Sequence, residues 1–253
     1  ENQQFAGQTV LVTGGTRGIG LAVSSLFAAQ GARVAMIYRH NEAAAREALQ
    51  ALPGEGHRVF AADLAEPDQV SATVDQAVAA LGSLDVVVNN AGIGIYHPPE
   101  SSSYDDWQQA WQATLATNLL GPANVCYCAV QHMLRSGGGR IVNVSSRGAF
   151  RGEPIKPAYG ASKAGLNSLT QSLAVALAPH KIFVAAVAPG FVNTDLARDR
   201  LQGPEGDAIR AQSPLNRVAE PEEVARAVVF LATPGTEFTT GTIIDVNGAS
   251  YLR

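Results

Sequence analysis

Short apolar runs alternate with longer amphipathic stretches along most of the chain. The apolar runs, which predict β-strands, lie at 9–15, 33–39, 57–64, 84–92, 140–146, 182–190 and 242–248. Several of them are apolar at consecutive positions, as is typical of parallel strands that are covered on both faces. The stretches with helical periodicity lie at 18–30, 42–51, 67–81, 104–134, 158–178 and 222–232. This alternation predicts an α/β fold in which one open parallel sheet has helices on both faces.

No change in composition marks a linker, so we predict a single domain over residues 1–253. Residues 191–221 differ from the rest because they mix charges, glycines and prolines between a strand and a helix. A segment of this length inside a compact domain usually forms a lid or a binding loop. We therefore predict a substrate loop at about 191–216.

Composition and charge limit the classes of partner. Hydrophobic residues are 46% and charged residues 16% of the chain, which is typical of a compact globular protein. The formal net charge of −4 provides no basic surface for nucleic acid. No apolar run reaches the ~18 residues of a membrane span. We therefore expect neither a nucleic-acid partner nor a membrane.

The two cysteines give a weak indication of compartment. Cys126 and Cys128 lie two apart in a predicted helix, so their side chains do not face each other and we expect neither a disulfide nor a metal site. Two free thiols favour a reducing compartment, and with no visible signal peptide we expect the cytoplasm. The chain begins at Glu1 and not at methionine, so an upstream segment could have been removed.

The segment TGGTRGIG, residues 13–20, follows the first predicted strand and opens the first predicted helix. Glycines at such a turn let the backbone approach a pyrophosphate, whose charge the free N–H groups of the helix N-terminus stabilise. The spacing of Gly14, Gly18 and Gly20 differs from the commoner G-x-G-x-x-G, and the lysine of a Walker A loop is absent. The alternative is a glycine-rich turn without a ligand, but the position between strand and helix favours a dinucleotide-binding loop.

The end of the second predicted strand indicates which dinucleotide binds. An acidic residue there would bond the ribose hydroxyls of NAD and repel a 2′-phosphate, but Tyr38 stands at that position. Arg39 follows it, and Arg17 lies in the glycine loop on the same side. Guanidinium groups match phosphate geometry, so NADP(H) is favoured over NAD(H). An Arg39 that only solvates its loop would give the same pattern.

Polar residues also follow the third and fourth predicted strands. Asp63 stands where it could bond the adenine amino group, and NNAG, residues 89–92, ends the next strand at the same edge. Open α/β sheets bind their ligands at this carboxyl edge. The asparagines could equally hold turns.

Six motifs together resemble the short-chain dehydrogenase/reductase family. They are TGGTRGIG, NNAG, Asn118 within TNLLG, Ser146 within IVNVSS, YGASK at 159–163 and APGFVNT at 188–194. Their order and spacing match the family from about residue 7 to 248, with closest likeness to its 3-oxoacyl reductase and glucose dehydrogenase branches. The resemblance implies a Rossmann-type, doubly wound sheet of about seven parallel strands, a nicotinamide cofactor and no metal. It also implies a catalytic tetrad of Asn118, Ser146, Tyr159 and Lys163.

Each member of this tetrad has a physical role that we can state as an expectation. Hydride reduction of a ketone leaves negative charge on the ketone oxygen, and Tyr159 would donate a proton to it. Lys163 should lower the pKa of Tyr159 from the value of roughly 10 of a free phenol, because a nearby positive charge favours the phenolate. Ser146 would orient the substrate oxygen; its neighbour Ser145 is the rival, but the family spacing, counted back from Tyr159, favours Ser146. Asn118 would hold a water that passes protons to Lys163. The plainer interpretation, a helix-interior asparagine that bonds the backbone, is compatible with that role, because the family asparagine kinks its helix. Small residues between Tyr159 and Lys163 would keep bulk away from the nicotinamide ribose.

The resemblance extends the cofactor site beyond the glycine loop. Residues of APGFVNT would frame the nicotinamide, and Tyr159 and Lys163 would touch it as well. The predicted cofactor-binding residues are Gly14, Thr16, Arg17, Gly18, Ile19, Gly20, Tyr38, Arg39, Asp63, Leu64, Asn90, Ala91, Gly92, Tyr159, Lys163, Pro189, Gly190, Val192 and Thr194.

The leading hypothesis is an NADP(H)-dependent oxidoreductase that interconverts a ketone and a secondary alcohol, with a small-molecule substrate. The alternatives are a 3-oxoacyl-(acyl-carrier-protein) reductase, an NAD-dependent sugar or steroid dehydrogenase, and a nucleotide-binding sensor without turnover. The uncharged SLAVALAP at 172–179 disfavours an acidic carrier protein. The helices predicted at 104–134 and 158–178 are richer in alanine and leucine than one sheet face requires, although the extra apolar positions could simply be exposed. In the family that the chain resembles, these two helices pair with those of other subunits, which implies a homotetramer, with a dimer as the alternative.

Overall fold

The fold is a parallel sheet of seven strands in the order β3-β2-β1-β4-β5-β6-β7. The computed structural model describes residues 3–253, except for the side chain of Leu196 in the predicted substrate loop. The strands are β1 Thr9–Thr13, β2 Arg33–Tyr38, β3 Arg58–Ala61, β4 Val86–Asn89, β5 Gly139–Val144, β6 Ile182–Pro189 and β7 Ile243–Val246. Every predicted strand is confirmed, and so is the Rossmann-type, doubly wound fold. The strand order reverses between β1 and β4, which is where such sheets bind their ligands.

Helices cover both faces of the sheet. They are α1 Gly18–Ala29, α2 Glu42–Ala51, α3 Pro67–Leu81, α4 Tyr104–Leu115, α5 Gly121–Ser136, α6 Gly148–Arg151, α7 Pro157–Leu177, α8 Asp195–Gln202, α9 Gly206–Arg210 and α10 Pro221–Ala232. Successive side chains of a strand point to opposite faces, so Val10 packs in the core beneath α1 and α10 while Leu11 packs in the core beneath α3 and α5. Apolar cores on both faces are the reason that the strands lack a polar alternation. None of the described helices is long and apolar enough to cross a membrane.

The helix predicted over 104–134 is interrupted. A π-turn at Ala116–Leu120 separates α4 from α5, with Asn118 at its centre. Within this turn, the side chain of Asn118 forms hydrogen bonds with the backbone of Ile93. Just after it, Gly121 packs closely on Leu64, since a Cβ on this glycine would lie only 2.8 Å from the carbonyl oxygen of Leu64. Single π-turns inside α-helices are frequent at functional sites.

The segment predicted as a substrate loop is partly helical. The short helices α8 and α9 occupy much of 191–216, and α6, which follows β5, was not predicted either. Local ion pairs and a backbone contact hold the segment: Arg200 pairs with Glu205 at 2.9 Å, and Arg210 donates to the carbonyl oxygen of Leu201 at 3.0 Å. Its charged residues therefore make contacts within the segment, which sequence periodicity does not reveal.

Candidate active site

The turn between β1 and α1 requires glycine for two different reasons. Gly14 and Gly18 have φ angles of +62° and +51°, which residues with a Cβ rarely adopt. A Cβ on Gly20 would lie 2.0 Å from the carbonyl oxygen of Gly14, so no side chain fits there. The loop thus exposes backbone N–H groups at the start of α1, and these residues fit the pyrophosphate of a dinucleotide.

Asn90 holds this loop against the end of β4. Its Nδ2 donates to the carbonyl oxygens of Thr13 and Gly14, each at 3.1 Å, and its backbone N–H donates to Oγ1 of Thr13 at 3.0 Å. The side chain therefore binds the glycine loop itself, which favours the turn-holding interpretation of the NNAG segment. Asn89 lies deeper, where its Nδ2 donates to Oδ1 of Asn143 at 2.9 Å.

At the adenosine end, two predicted cofactor residues bind each other. Nη2 of Arg39 lies 2.8 Å from Oδ2 of Asp63, with the side chains 52% and 21% exposed. The sequence predicts different contacts to the cofactor for these two residues, whereas the structure pairs them with each other. Arg17, in the glycine loop, is exposed. Leu64 is buried next to Gly121, while Tyr38 ends β2 half-buried.

The nicotinamide end of the predicted site follows β6. Thr194 lies against the glycine loop, since a Cβ on Gly18 would be 3.2 Å from its Cγ2. Gly190 packs so closely on Asn247 that its Cβ would lie 3.1 Å from that Cα, and Val192 is buried. The end of β6 and the start of α1 are thus brought together, as the predicted cofactor site requires.

All four predicted catalytic side chains converge. Nζ of Lys163 donates to the carbonyl oxygen of Val144 at 2.8 Å and lies 5.9 Å from the centre of the Tyr159 ring. A Cβ on Gly92 would lie 3.4 Å from Oδ1 of Asn118 and 3.5 Å from Nζ of Lys163, so those two side chains flank the same glycine.

Ser146, and not its rival Ser145, lies beside the phenol. The Ser146 hydroxyl lies close enough to the Tyr159 phenol to lower its pKa, and its Oγ accepts from the backbone N–H of Gly148 at 3.0 Å. Oγ of Ser145 instead donates to the carbonyl oxygen of Lys163 at 3.3 Å. Ser146 is therefore the serine whose position suits contact with a substrate oxygen.

Asn118 uses both ends of its amide on protein groups. Oδ1 accepts from the backbone N–H of Ile93 at 2.8 Å, and Nδ2 donates to the carbonyl oxygen of Ile93 at 2.8 Å and to Oγ of Ser162 at 3.2 Å. The side chain is fully buried. This geometry matches the backbone-bonding alternative, and it ties β4's exit loop to α7.

Burial dominates the electrostatics of the site. Burial raises the pKa of Tyr159; the Ser146 hydrogen bond opposes this rise, and the negative charge of Glu153 adds to it. Burial lowers the pKa of Lys163 to about 8. We expected Lys163 to lower the pKa of Tyr159, but in this structure that pKa is raised, because the phenol is desolvated and Lys163 is itself a weakened cation.

Sequence reasoning missed two residues that shape the site. Nζ of Lys156 lies 4.4 Å from the centre of the Tyr159 ring. His97 fixes the segment after β4, since its Nε2 accepts from the backbone N–H of Ala158 at 3.2 Å while its Nδ1 lies 2.9 Å from the carbonyl oxygen of Ile95. The sequence could have indicated Lys156, because it lies about one helical turn before Tyr159. Nothing in the sequence indicates the role of His97.

Comparisons with known proteins agree with this geometry. A family model described as Enoyl-(Acyl carrier protein) reductase matches residues 14–249. The chain is 37% identical over 248 residues to D-threitol dehydrogenase of Mycolicibacterium smegmatis, covering 98% of this chain and 94% of that protein. It is 36% identical over 250 residues to a 3-oxoacyl-(acyl-carrier-protein) reductase of Chlamydia muridarum, covering 98% of each.

A solved structure is similarly close. A short-chain dehydrogenase from Burkholderia cenocepacia J2315, in complex with NADP, aligns with a TM-score of 0.89 and 33% identity over 98% of this chain and 99% of that one. The match in sequence and structure spans nearly the whole chain. The protein therefore belongs to the short-chain dehydrogenase/reductase family and is a dehydrogenase that acts on CH–OH groups with NAD(P) as acceptor.

Proposed function

We propose that the protein interconverts a ketone and a secondary alcohol with NADP(H), using Tyr159 as general acid and base. The observation that carries this proposal is the convergence of Ser146, Tyr159 and Lys163 next to a loop that only glycine can form. The nicotinamide supplies the hydride when it is bound. The residues that would hold it are those of the glycine loop, the end of β6 and Lys163.

Ser146 and Tyr159 would share the substrate oxygen. As hydride arrives, negative charge develops on this oxygen, and the Ser146 hydroxyl would donate a hydrogen bond that stabilises it. Tyr159 would deliver its proton to the same atom, and a phenol with a raised pKa stays protonated and ready to donate at neutral pH. In the reverse direction the phenolate must form, and this step would depend on the positive charge of Lys163.

Asn118 would support this chemistry indirectly, by positioning the segments around the active site. It anchors Ile93 and Ser162, which lie on either side of the cleft, and so holds the exit of β4 in register with α7. A static link of this kind would hold Gly92 and its neighbours in place beside Lys163.

The preference for NADP(H) would depend on Arg39 exchanging partners. Its ion pair with Asp63 is partly exposed, and such pairs contribute about 0–1 kcal/mol. A 2′-phosphate carries more charge and more acceptor oxygens than Asp63, so it would displace the carboxylate from Arg39. The NADP in the related Burkholderia structure supports this preference.

The tests are direct. The purified protein should oxidise NADPH in the presence of members of a broad ketone panel, with weaker activity from NADH, and Tyr159→Phe should lose at least about 100-fold in kcat. Arg39→Asp should shift the ratio of kcat/KM values toward NADH, with Arg135→Met, an exposed change at the opposite end of the sheet, as the control. Full activity in Tyr159→Phe, or no turnover of any ketone, would refute the proposal.

A second candidate is a 3-oxoacyl-(acyl-carrier-protein) reductase, favoured by the 36% identity to the Chlamydia protein. The apolar end of α7, residues 172–179, offers an acidic carrier no cation. We therefore expect that presenting the acyl group on carrier protein instead of a short thioester gives no gain in kcat/KM. A large gain would make this candidate the function.

We also propose a homotetramer, with a dimer as the alternative. Tyr127 is 69% exposed on α5 and Val175 is 81% exposed on α7, and Phe238 after α10 is fully exposed. Apolar residues on these helices would be covered by other copies of the chain. Light scattering coupled to gel filtration gives the mass, and a monomer would refute this proposal. The free thiols of Cys126 and Cys128 are consistent with a reducing cytoplasm.

A further inference from the structure

A second lysine occupies the catalytic cleft. Lys156 caps the start of α7, and its ammonium lies over the face of the Tyr159 ring at 4.4 Å from the centre, which is closer than Lys163 at 5.9 Å. Its stem packs toward Gly94: a Cβ on that glycine would lie 3.5 Å from Cδ of Lys156 and 3.6 Å from Cδ2 of Tyr159. Lys156, Tyr159 and Gly94 therefore form one wall of the space in which the reacting carbonyl would lie.

Among the residues that the structure describes, the charge of Lys156 has no direct counter-ion. Its Nζ has no carboxylate oxygen within 4.0 Å there and no hydrogen-bond acceptor, although the residue is partly buried. Burial lowers the pKa of Lys156, and the charge of Glu153 works against that change. A partly desolvated lysine whose ammonium contacts only the face of an aromatic ring can bind an anionic partner.

The surroundings of Lys156 are predominantly basic. Arg147 and Arg151 both donate to Oε1 of Gln212, and Arg200 lies over the Phe191 ring at 5.3 Å. Arg200 and Arg151 both act on Lys156 as like charges, and Glu153 is the acidic group that acts on it. Glu153 lies against Gly148, where a Cβ would be 2.4 Å from its Oε1. Glu205 pairs with Arg200 and offsets its charge, so Arg147, Arg151 and Lys156 stand against the packed carboxylate of Glu153. Three cations against one carboxylate leave this side of the cleft positive.

We infer that Lys156 is a specificity-determining residue, which binds an anionic group, a carboxylate or a phosphate, on the substrate whose carbonyl is reduced at Tyr159. This inference rests on the proposed function. This anion site is separate from the proposed site of the cofactor phosphates. The glycine loop lies against Thr194 at Gly18, whereas Lys156 lies against Gly94 at the start of α7. The anion would lie next to the ammonium while the carbonyl oxygen lies between Ser146 and Tyr159.

Matched substrate pairs test this inference. The acids are 4-oxopentanoate and 4-oxocyclohexanecarboxylate, each compared with its methyl ester, and dihydroxyacetone phosphate is compared with dihydroxyacetone. For wild type, kcat/KM should be higher for the charged member of at least one pair, and the favoured pair identifies carboxylate or phosphate. Lys156→Met should lower that charged-to-neutral ratio about 10- to 100-fold, the loss expected for one charge-assisted hydrogen bond.

Controls separate charge recognition from other roles of Lys156. Lys156→Arg should keep the preference, and Arg135→Met, which removes one exposed cation from the far edge of the sheet, should leave the ratio at the wild-type value. The wild-type ratio should also fall with rising salt, which tests the inference even if Lys156→Met does not fold. The KM for NADPH should not change in the variants that lower the charged-to-neutral ratio.

The outcomes are distinguishable. If no ketone is reduced, either in these pairs or in the broad panel, the proposed function fails. If ketones are reduced but wild type does not prefer the charged members, or if Lys156→Met keeps the preference, the inference fails and the proposed function stands. If Lys156→Met lowers acid and ester equally and shifts the pH profile of both, then Lys156 acts on the Tyr159 proton, and the inference is again overturned.

Discussion

Replacing Asn118 by alanine should lower stability as well as activity. The side chain satisfies the backbone N–H and C=O of Ile93 at 2.8 Å each and bonds Ser162 at 3.2 Å, in a fully buried position. Leaving one such polar group without its partner costs about 1–3 kcal/mol, and water that enters the space recovers part of that. With two backbone groups affected, we expect Asn118→Ala to lose about 2–4 kcal/mol in the free energy of unfolding.

Asn167→Ala is the matched control for this experiment. Asn167 is also a buried helical asparagine, but among the described residues its Oδ1 has no hydrogen-bond partner. We expect its replacement to change the free energy of unfolding by less than about 1 kcal/mol. Urea denaturation followed by circular dichroism, at one fixed protein concentration, measures both variants.

The two roles considered for Asn118 give different results. If the amide positions Ile93 and α7, Asn118→Ala loses stability and kcat together, and Asn118→Asp recovers only part of either because a carboxylate cannot donate to the carbonyl oxygen of Ile93. An Asn118→Ala protein with wild-type stability and a strongly reduced kcat would refute this reasoning and would favour an asparagine that acts only by holding a water.

Two further predictions concern the cofactor loop and the buried lysine. Gly20→Ala should abolish NADPH binding in a fluorescence titration, because its Cβ would lie 2.0 Å from the carbonyl oxygen of Gly14, and Ala29→Gly on the same helix is the control. For Lys163, with a folded-state pKa of about 8 against an ordinary 10.5, the unfolded chain binds more protons between these values. Wild type should therefore gain stability relative to Lys163→Met as pH rises from about 8 to 10.5; an unchanged difference would contradict this burial.

The sequence predicts most of the framework because its signals are local. Strands such as β1 and β4 are largely apolar and buried at every position since both faces of the sheet are covered, and Gly82 ends α3 with a φ of +86° as a helix-terminating glycine should. The four side chains of the tetrad were also predictable, because the motifs that contain them resemble those of the short-chain dehydrogenase/reductase family. Ser146 was preferred over Ser145 by spacing alone, and the structure places Ser146 beside Tyr159.

What the sequence does not predict depends on partners distant in the chain. The apolar pattern of 104–134 continues through the π-turn, so nothing local distinguishes Ala116–Leu120 from an ordinary helical turn. Arg39 and Asp63 were each placed at the correct edge of the sheet, but their ion pair depends on how β2 and β3 end side by side. The pKa of Tyr159 likewise depends on burial, which is a property of the packed fold.

The small residues of YGASK are explained by packing between protein segments. A Cβ on Gly160 would lie 3.3 Å from the carbonyl oxygen of Gly148 and 3.5 Å from Glu153, so glycine lets α7 approach the segment that carries Ser146. Oγ of Ser162 donates to the carbonyl oxygen of Tyr159 at 2.8 Å and accepts from Nδ2 of Asn118. These two residues therefore fix the distance from Tyr159 to Ser146 and to the π-turn. Close packing of α7 therefore accounts for the small size of Gly160 and Ser162.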